Sequence, residues 1–403
     1  MSMEKPVAAL EVSNKSIKLL IGYEIDGKIC AVYSDIKKLG VIKKRGVFND
    51  IASVISSMEP YKVIVDESVR LKISISEMLV ALPPVDFQVF QTNQVTTIVS
   101  ETGKVDSIDI RNLHTLIKKN RIGYPSSSTI VDIIPERYTL DQGRTYTKMP
   151  LGETTNTLNL LAKVHVMPRD IIEEHDRLVL DNGIGVKRNI VAPYAASELL
   201  GTYPEIPSDY ILVDIGAKET TVSLVGMKQL FASQIIDFGG DDITNKIELT
   251  FNVSESEAEK IKCAYGLNNR KMNFEAPVSE FTDESGNIRR FTESELTKLI
   301  KEELDRFVEL LNSTINNLLK NDNPAYKTLP MILIGGGSLL KGIETYLEPK
   351  VQSKSVNVFI PKTFGCRNPS FVNLLGMIYV QSKEHINFEK IIPQVGEVKR
   401  VKE

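Results

Sequence analysis

The chain has 403 residues, 42% apolar and 25% charged, which is ordinary usage for a folded globular protein and excludes a disordered chain or a coiled coil. Lysine and arginine total 49 against 52 acids, a formal charge of −3, so nothing in the overall balance drives it toward nucleic acid. No apolar run approaches the roughly 18 residues that cross a bilayer, and the start, MSMEKPVAALEV, passes directly into a strand pattern and is no signal peptide.

At about 150 residues per domain this length suggests two or three domains. Three cysteines (Cys30, Cys263, Cys366), odd in number and without a CxxC, read as reduced core thiols of a cytosolic protein. In chain order, Pro6 to Ile25 reads as two strands, VAALEV and IKLLIGYEI, joined by the polar turn Ser13-Asn14-Lys15-Ser16. The stretch from Pro84 to Met167 has its own strand and helix patterns after Pro83-Pro84, and reads as a small α+β module inserted into the first half. A second hairpin unit follows: YILVDIG, the turn Ala217-Lys218-Glu219-Thr220, then TVSLVG. It overlays the first. Each has an apolar strand ending in an acid (Glu11, Asp214), one apolar residue, a short turn and a strand closing at glycine (Gly22, Gly226). The two units lie about 200 residues apart, which suggests two similar halves facing each other.

Helices are clearer in the second half. Ser254 and Glu257 have capping-box spacing before a helix ending at Gly266, and Thr292 and Glu295 repeat it before an amphipathic run to about Lys320, stopped by Asn321 to Pro324. Between them Asn268 to Arg290 reads as an exposed loop or short hairpin. PMILIGGGSLLKGIETYLE then reads as buried strand, triple-glycine turn and helix, and the tail from Lys383 is charged without a wide apolar face.

Three elements could carry chemistry. A glycine turn between strand and helix (Gly335, Gly336, Gly337) either lets backbone N–H groups approach a phosphate or nucleoside, or simply closes a tight turn. The hairpin turns could present N–H groups to phosphate oxygens, with Glu11 and Asp214 holding Mg²⁺; ordinary hairpins with incidental acids are the alternative. Glu259 and Lys262, one helical turn apart, either face a cleft or form a plain surface ion pair. GxxxxGK[ST], GxGxxG, GxSxG and HExxH are missing, and the four histidines (His114, His165, His175, His385) lack metal-ligand spacing.

In this order the three elements resemble the phosphate-1, phosphate-2 and adenosine motifs of the actin/Hsp70/sugar-kinase ATPase superfamily. Within it the chain resembles the FtsA family of bacterial cell-division proteins. The stretches LEVSNKSIKLLIG, RGVFND, DIIPERYTLD, AKVHVMP, LVDIGAKETTVSLV, SEAEKIKCAYG, ILIGGGSLLKGIE and SFVNLLGMIYV carry that likeness from residue 9 to about 380. An inserted module at 84–167 fits FtsA, whose subdomain 1C stands there, and not actin or Hsp70.

The resemblance implies an α/β, actin-like two-lobe fold of RNase-H-like subdomains. Subdomain 1A would take 1–83, 168–195 and 345–385, and 1C would take 84–167. Subdomain 2A would take 196–240 and 321–344, 2B would take 241–320, and 386–403 would be a flexible tail. It implies ATP and Mg²⁺ as cofactors. Ser13, Asn14 and Lys15 match phosphate 1 and Asp214, Gly216 and Thr220 match phosphate 2, with Glu11 and Asp214 at the metal positions. Gly239 and Gly240 match the glycines approaching the nucleotide, Glu259 and Lys262 the adenine- and ribose-contacting pair, and Gly335 to Gly337 the adenosine motif. Ser13 stands where the family favours glycine, and Ala217, Lys218 and Glu219 where it favours small residues, so altered geometry, weak binding or negligible hydrolysis is expected.

The implied partners are the C-terminal peptide of FtsZ, further copies of the chain in filaments, other division proteins through the inserted module, and the inner face of the cell membrane, with no nucleic acid. IIPQVGEVKRVKE is too short and mixed in charge for the family's membrane helix, so tethering is expected by another route or beyond residue 403. Two further readings share the superfamily: a PilM-like pilus-assembly adaptor, and a small-molecule kinase, which would need a base aimed at a substrate hydroxyl.

Overall fold

Both hairpins expected from the sequence form, and each heads a sheet of the same design. The computed structural model describes residues 6–66, 71–120, 123–267, 277–282, 288–319 and 329–383. In the first lobe β1 (Val7–Val12), β2 (Ser16–Ile25) and β3 (Lys28–Lys38) make an antiparallel meander. Short ribbons follow, β4 (Lys43–Lys44) with β5 (Val47–Phe48) and, after helix α1 (Ile51–Met58), β6 (Val63–Asp66) with β7 (Leu71–Ser74). Strand β8 (Glu77–Leu82) lies parallel to β1.

The inserted module comes next: β9 (Gln88–Thr97), α2 (Ser107–Lys119), β10 (Ser128–Leu140), β11 (Thr145–Tyr146) and β12 (Thr157–Pro168). Its antiparallel sheet has the order β11-β10-β12-β9 and its own core around Leu113, Tyr138 and Leu160. Pro135 sits inside β10 at a bulge, beyond the reach of the two-residue β11, so its missing N–H breaks no ladder. The chain returns through α3 (Arg169–Leu180) to β13 (Gly185–Val191), parallel to β8, and then to α4 (Ala192–Leu200).

The second lobe repeats the plan. The meander is β14 (Tyr210–Ile215), β15 (Thr220–Gly226) and β16 (Gln229–Ile236), followed by α5 (Gly240–Phe251), α6 (Glu255–Tyr265), the hairpin β17 (Pro277–Thr282) and β18 (Ile288–Thr292), and α7 (Glu293–Leu319). Strand β19 (Met331–Ile334), a 3-10 turn Gly336–Leu339, α8 (Ile343–Leu347), β20 (Val356–Val358) and α9 (Val372–Lys383) complete it. The strand orders β3-β2-β1-β8-β13 and β16-β15-β14-β19-β20 are the same arrangement, a meander with two parallel strands added on one side. The duplication read in the sequence is therefore a duplication of topology.

The second capping box forms in full and the first in half. The Ser254 hydroxyl accepts from Glu257 N–H, and Thr292 and Glu295 satisfy each other's N–H groups. The helix after the triple glycine is shorter than its sequence suggests, because Gly342 at φ +81° starts α8 afresh. The cysteines correct one expectation: Cys366 is buried, Cys30 is half-buried and Cys263 is exposed on α6. The tail 386–403 and the helix stop at 321–324 lie outside the described residues, and the described part of 268–290 belongs to the β17–β18 hairpin.

Each half lends its last helix to the other. Helix α4 follows the first sheet but packs on β15 and β16, whereas α9 follows the second sheet and packs on β1, β2 and β8. The two helices cross with Gly376 against α4, and a Cβ at that position would lie 2.0 Å from the Ala195 carbonyl oxygen. The shared core between the sheets holds residues of both, including Leu20, Leu79, Leu212 and Ile332 with Ala195 and Leu375. Gly376→Ala should lower unfolding stability by at least about 2 kcal/mol in urea denaturation, since backbone cannot yield as a side chain would; an unchanged midpoint would contradict the crossing.

The module's base is pinned to the lobes by His165 on β12, whose ring meets Phe87 and Tyr194 edge-on at 5.0 and 4.8 Å. Burial first, then the charges of Lys163 and Arg188, push its pKa down to about 3. The unfolded chain takes up a proton near pH 6.5 that the folded chain refuses, so stability falls as pH drops below that value. The loss from His165 alone should reach about 2 kcal/mol by about pH 5. His165→Phe, which keeps a ring in place, should flatten that part of the slope in urea titrations at several pH values.

Candidate functional site

The duplicated hairpins build their turns alike. Ser13 N–H donates to Ser16 O at 2.8 Å and Gly216 N–H to Glu219 O at 3.0 Å, so Asn14-Lys15 and Ala217-Lys218 are the central pairs of equivalent four-residue turns. Lys15 and Lys218 thus hold the same place in the two halves. Their amines converge on Asp241 in the first turn of α5, at 2.8 and 3.3 Å. Lys15 also pairs with Glu255 at the start of α6, and the lysine charge, opposed by burial but favoured by both acids, is held above its ordinary pKa.

Below the turns Glu11 and Asp214 stand side by side. Cross-strand register sets Lys18 opposite Glu11, and its amine lies 3.1 Å from Glu11 Oε2. Asn373 at the start of α9 donates from Nδ2 to Glu11 Oε1 at 3.1 Å and to Asp214 Oδ2 at 2.9 Å. Burial, then the charge of Glu11, raises the Asp214 pKa. Burial opposes the Lys18 charge, but Glu11 and Asp214 outweigh it and hold the amine above its ordinary value.

These groups share one cavity. Glu11, Ser13, Asn14 and Lys18 line it from the first lobe, Asp214, Gly216 and Glu219 from the second, with Lys43 and Asn373. Lys43 is buried, its carbonyl accepting from Asn14 Nδ2 at 3.1 Å and its amine 3.2 Å from His175 Nε2. Burial pushes its pKa down to about 8 against the charges of Glu11 and Glu219. The cavity measures about 80 Å³, well short of the few hundred Å³ typical of ligand pockets. The lobes are closed over it, and besides the Lys15 pairs, Arg45 spans the junction to Glu219 through its N–H (2.6 Å) and to Asp237 through its guanidinium (3.0 Å).

The remaining residues singled out in the sequence surround this centre. Gly335, at φ +83°, abuts Asp214: a Cβ there would lie 2.2 Å from Asp214 Oδ1, while one on Gly337 would strike Ile215. Parallel register puts Asp214 beside Ile334 and so brings the glycine turn to the acid. Gly239 lies against Ala217, and the N–H groups of Gly240 and Asp241 donate to the carbonyls of Gly216 and Ala217 at 2.9 and 2.8 Å. Lys262 gives its three hydrogens to Gly240 O, Thr244 Oγ1 and Glu259 Oε2 at 2.9, 2.8 and 2.6 Å. Glu259 is opposed by burial, but Lys262 holds its pKa below the ordinary value. Thr220 is set apart: fully buried, its hydroxyl donates to Phe238 O at 2.7 Å, and its neighbour Thr221 lines the cavity instead. Lys18, Lys43, Asp241 and Asn373 were not singled out in the sequence; only Lys18 had a signal, its place opposite Glu11 across the hairpin.

Comparison with known proteins follows this geometry. Residues 211–376, which include the second hairpin, the glycine turn and most of the start of α9, match the family described as Cell division protein FtsA. The FtsA of Enterococcus faecalis is 24% identical over 375 residues, covering 92% of this chain and 82% of the relative. The chain is related to the FtsA proteins, and its fold is actin-like. FtsA of Streptococcus pneumoniae is 24% identical (94% of this chain, 80% of the relative) and that of Bacillus subtilis 22% (92% and 82%). Among solved structures, a PilM-PilN type IV pilus biogenesis complex superposes with a TM-score of 0.56 at 16% identity, covering 94% of this chain and 98% of the other. MreB5 of Spiroplasma citri bound to ADP gives 0.52 at 12% identity, covering 94% and 97%.

The acid cluster makes its own prediction. Lys18→Met leaves two largely buried carboxylates without their cation and should cost about 3–5 kcal/mol in urea unfolding, and adding Glu11→Gln should restore a large part of it. Additive losses in that double-mutant cycle would show that the pair is not coupled.

Proposed function

We propose that this chain is an actin-like cell-division protein of the FtsA type that binds ATP with Mg²⁺ between its lobes, self-associates into filaments and links FtsZ to the membrane. The observation that carries the nucleotide reading is the meeting of two equivalent turns, each with its acid, on one cavity at the lobe junction. Mg²⁺ suits the donors there, two carboxylates and an amide oxygen, all hard ligands. Glu11 and Asp214 would hold the ion, which neutralises phosphate charge. Ser13, Asn14 and Lys15 from one side, and Gly216 and Lys218 from the other, would face the phosphates. Gly335 to Gly337, Gly239 and Gly240 would border the nucleoside, with Glu259 and Lys262 toward ribose and base. Thr220 would brace its turn from behind through Phe238.

Admission of a nucleotide requires the lobes to part. Lys15 and Lys218 would exchange Asp241, an internal anion, for phosphate oxygens, so binding energy is spent on opening and the affinity is modest. A ligand touching both lobes then fixes their angle, and that angle sets whether the chain joins a filament. The FtsZ C-terminal peptide is assigned to the region 241–320, self-association and later division proteins to the module at 84–167, and the membrane contact to the side after α9. The pilus-assembly reading shares the fold, but FtsA relatives are 20–26% identical whereas the pilus complex is 16%.

Mg-ATP should raise the melting temperature of the full chain, Asp214→Ala should remove the rise, and Asp241→Asn should enlarge it by freeing both lysines. No shift at millimolar ATP would defeat the nucleotide reading. Immobilised FtsZ tail peptide should retain the protein where a pilus-component peptide does not, and the reverse result would favour the pilus adaptor.

A further inference from the structure

We infer that Asn373 is the positioning residue of the cation site: its amide ties the Glu11 and Asp214 carboxylates to one group, and its Oδ1 is a further ligand for a divalent cation. This rests on the cation reading above and adds a residue to it. Asn373 is 3% exposed and lines the same cavity as both acids. It spends its two N–H hydrogens one on each carboxylate, Glu11 from the first lobe and Asp214 from the second. That fixes the plane of the amide and with it the direction of the oxygen. Among the described residues Oδ1 finds no hydrogen-bond partner. A buried acceptor without a partner is costly and asks for an explanation.

A purely structural amide would explain the two donated bonds and would leave the oxygen to a water in the adjoining cavity. A cation explains both, since the carboxylates and the neutral amide oxygen are the donor types that Mg²⁺ and Mn²⁺ take. The neighbouring atoms leave the other carboxylate oxygens defined as well. Glu11 Oε2 is held by Lys18, and Asp214 Oδ1 packs against the Gly335 backbone, where a side chain would overlap it. Asn373 sits on α9, which belongs to the second half in sequence and packs on the first sheet, so one side chain reads the separation of the lobes.

The test is Mn²⁺ titrated into the full chain, with and without ADP, the free ion being followed by electron paramagnetic resonance. Thermal unfolding without metal is measured in parallel. Asn373→Leu, close in size, should weaken Mn²⁺ binding by about tenfold or more, the usual effect of removing a group that orients metal ligands. Asn373→Asp keeps an oxygen, loses the donors and adds charge: it should bind Mn²⁺ at least as tightly as the wild type while melting lower without metal. That crossing of affinity and stability is what a merely structural role does not produce. Wild-type affinity in Asn373→Leu, or parallel losses of affinity and stability in both variants, would overturn the role of Asn373 alone. A wild-type chain that takes up no Mn²⁺ in either condition would overturn the cation reading beneath it.

Discussion

Glu11 and Asp214, on the leading strands of the two sheets, are held within reach of one amide group and largely out of water. Like charges so placed repel, and the repulsion has to be met locally. Lys18 answers from the hairpin opposite, and Asn373 answers from a helix that arrives from the far end of the chain. The glycine at 335 is a consequence of the same arrangement, because a side chain there would overlap the Asp214 carboxylate. The acid pair thus dictates the residue on its cross-strand partner, on the adjoining turn and on the crossing helix.

The lobes are joined in layers of different strength. Deepest is the apolar core between the sheets, where α4 and α9 cross at Gly376. Above it lies the acid cluster. At the rim are the ion pairs of Lys15 and Arg45, part-exposed and individually weak. The contacts between the lobes thus weaken from the core outward to the rim. The module follows the first lobe through the Arg188–Asp132 pair, yet it also touches the second, where Lys163 meets Gln229 at 2.6 Å and lies over the Phe231 ring.

The duplicated hairpins, the inserted module and both capped helices were legible because each is written in local pattern: aliphatic runs around a polar turn, a Pro-Pro break, Ser or Thr three residues before Glu. What was not legible depends on distance or phase. Asn373 lies 362 residues from Glu11 and 159 from Asp214, and nothing near any of the three announces the meeting. Thr220 and Thr221 differ only in which face of β15 they occupy, and that is fixed by pairing Asp214 with Thr221. Cys263 reads as core by residue type, but it falls outside the buried stripe of Ala258, Ile261 and Lys262 on α6. The two turn lysines were seen singly; that they share Asp241 follows from lobe closure, which no local pattern encodes.

The exchange of α4 and α9 between the halves bears on how the chain folds. While only the first half of the chain is folded, the inner face of its sheet has no lid, because α9 comes from the second half. That aliphatic surface, with Leu20 and Leu79 on it, stays exposed to water until residues 372–383 pack on it. Folding of the first half is therefore completed by the second, and a fragment ending before α9 would leave an apolar sheet face uncovered.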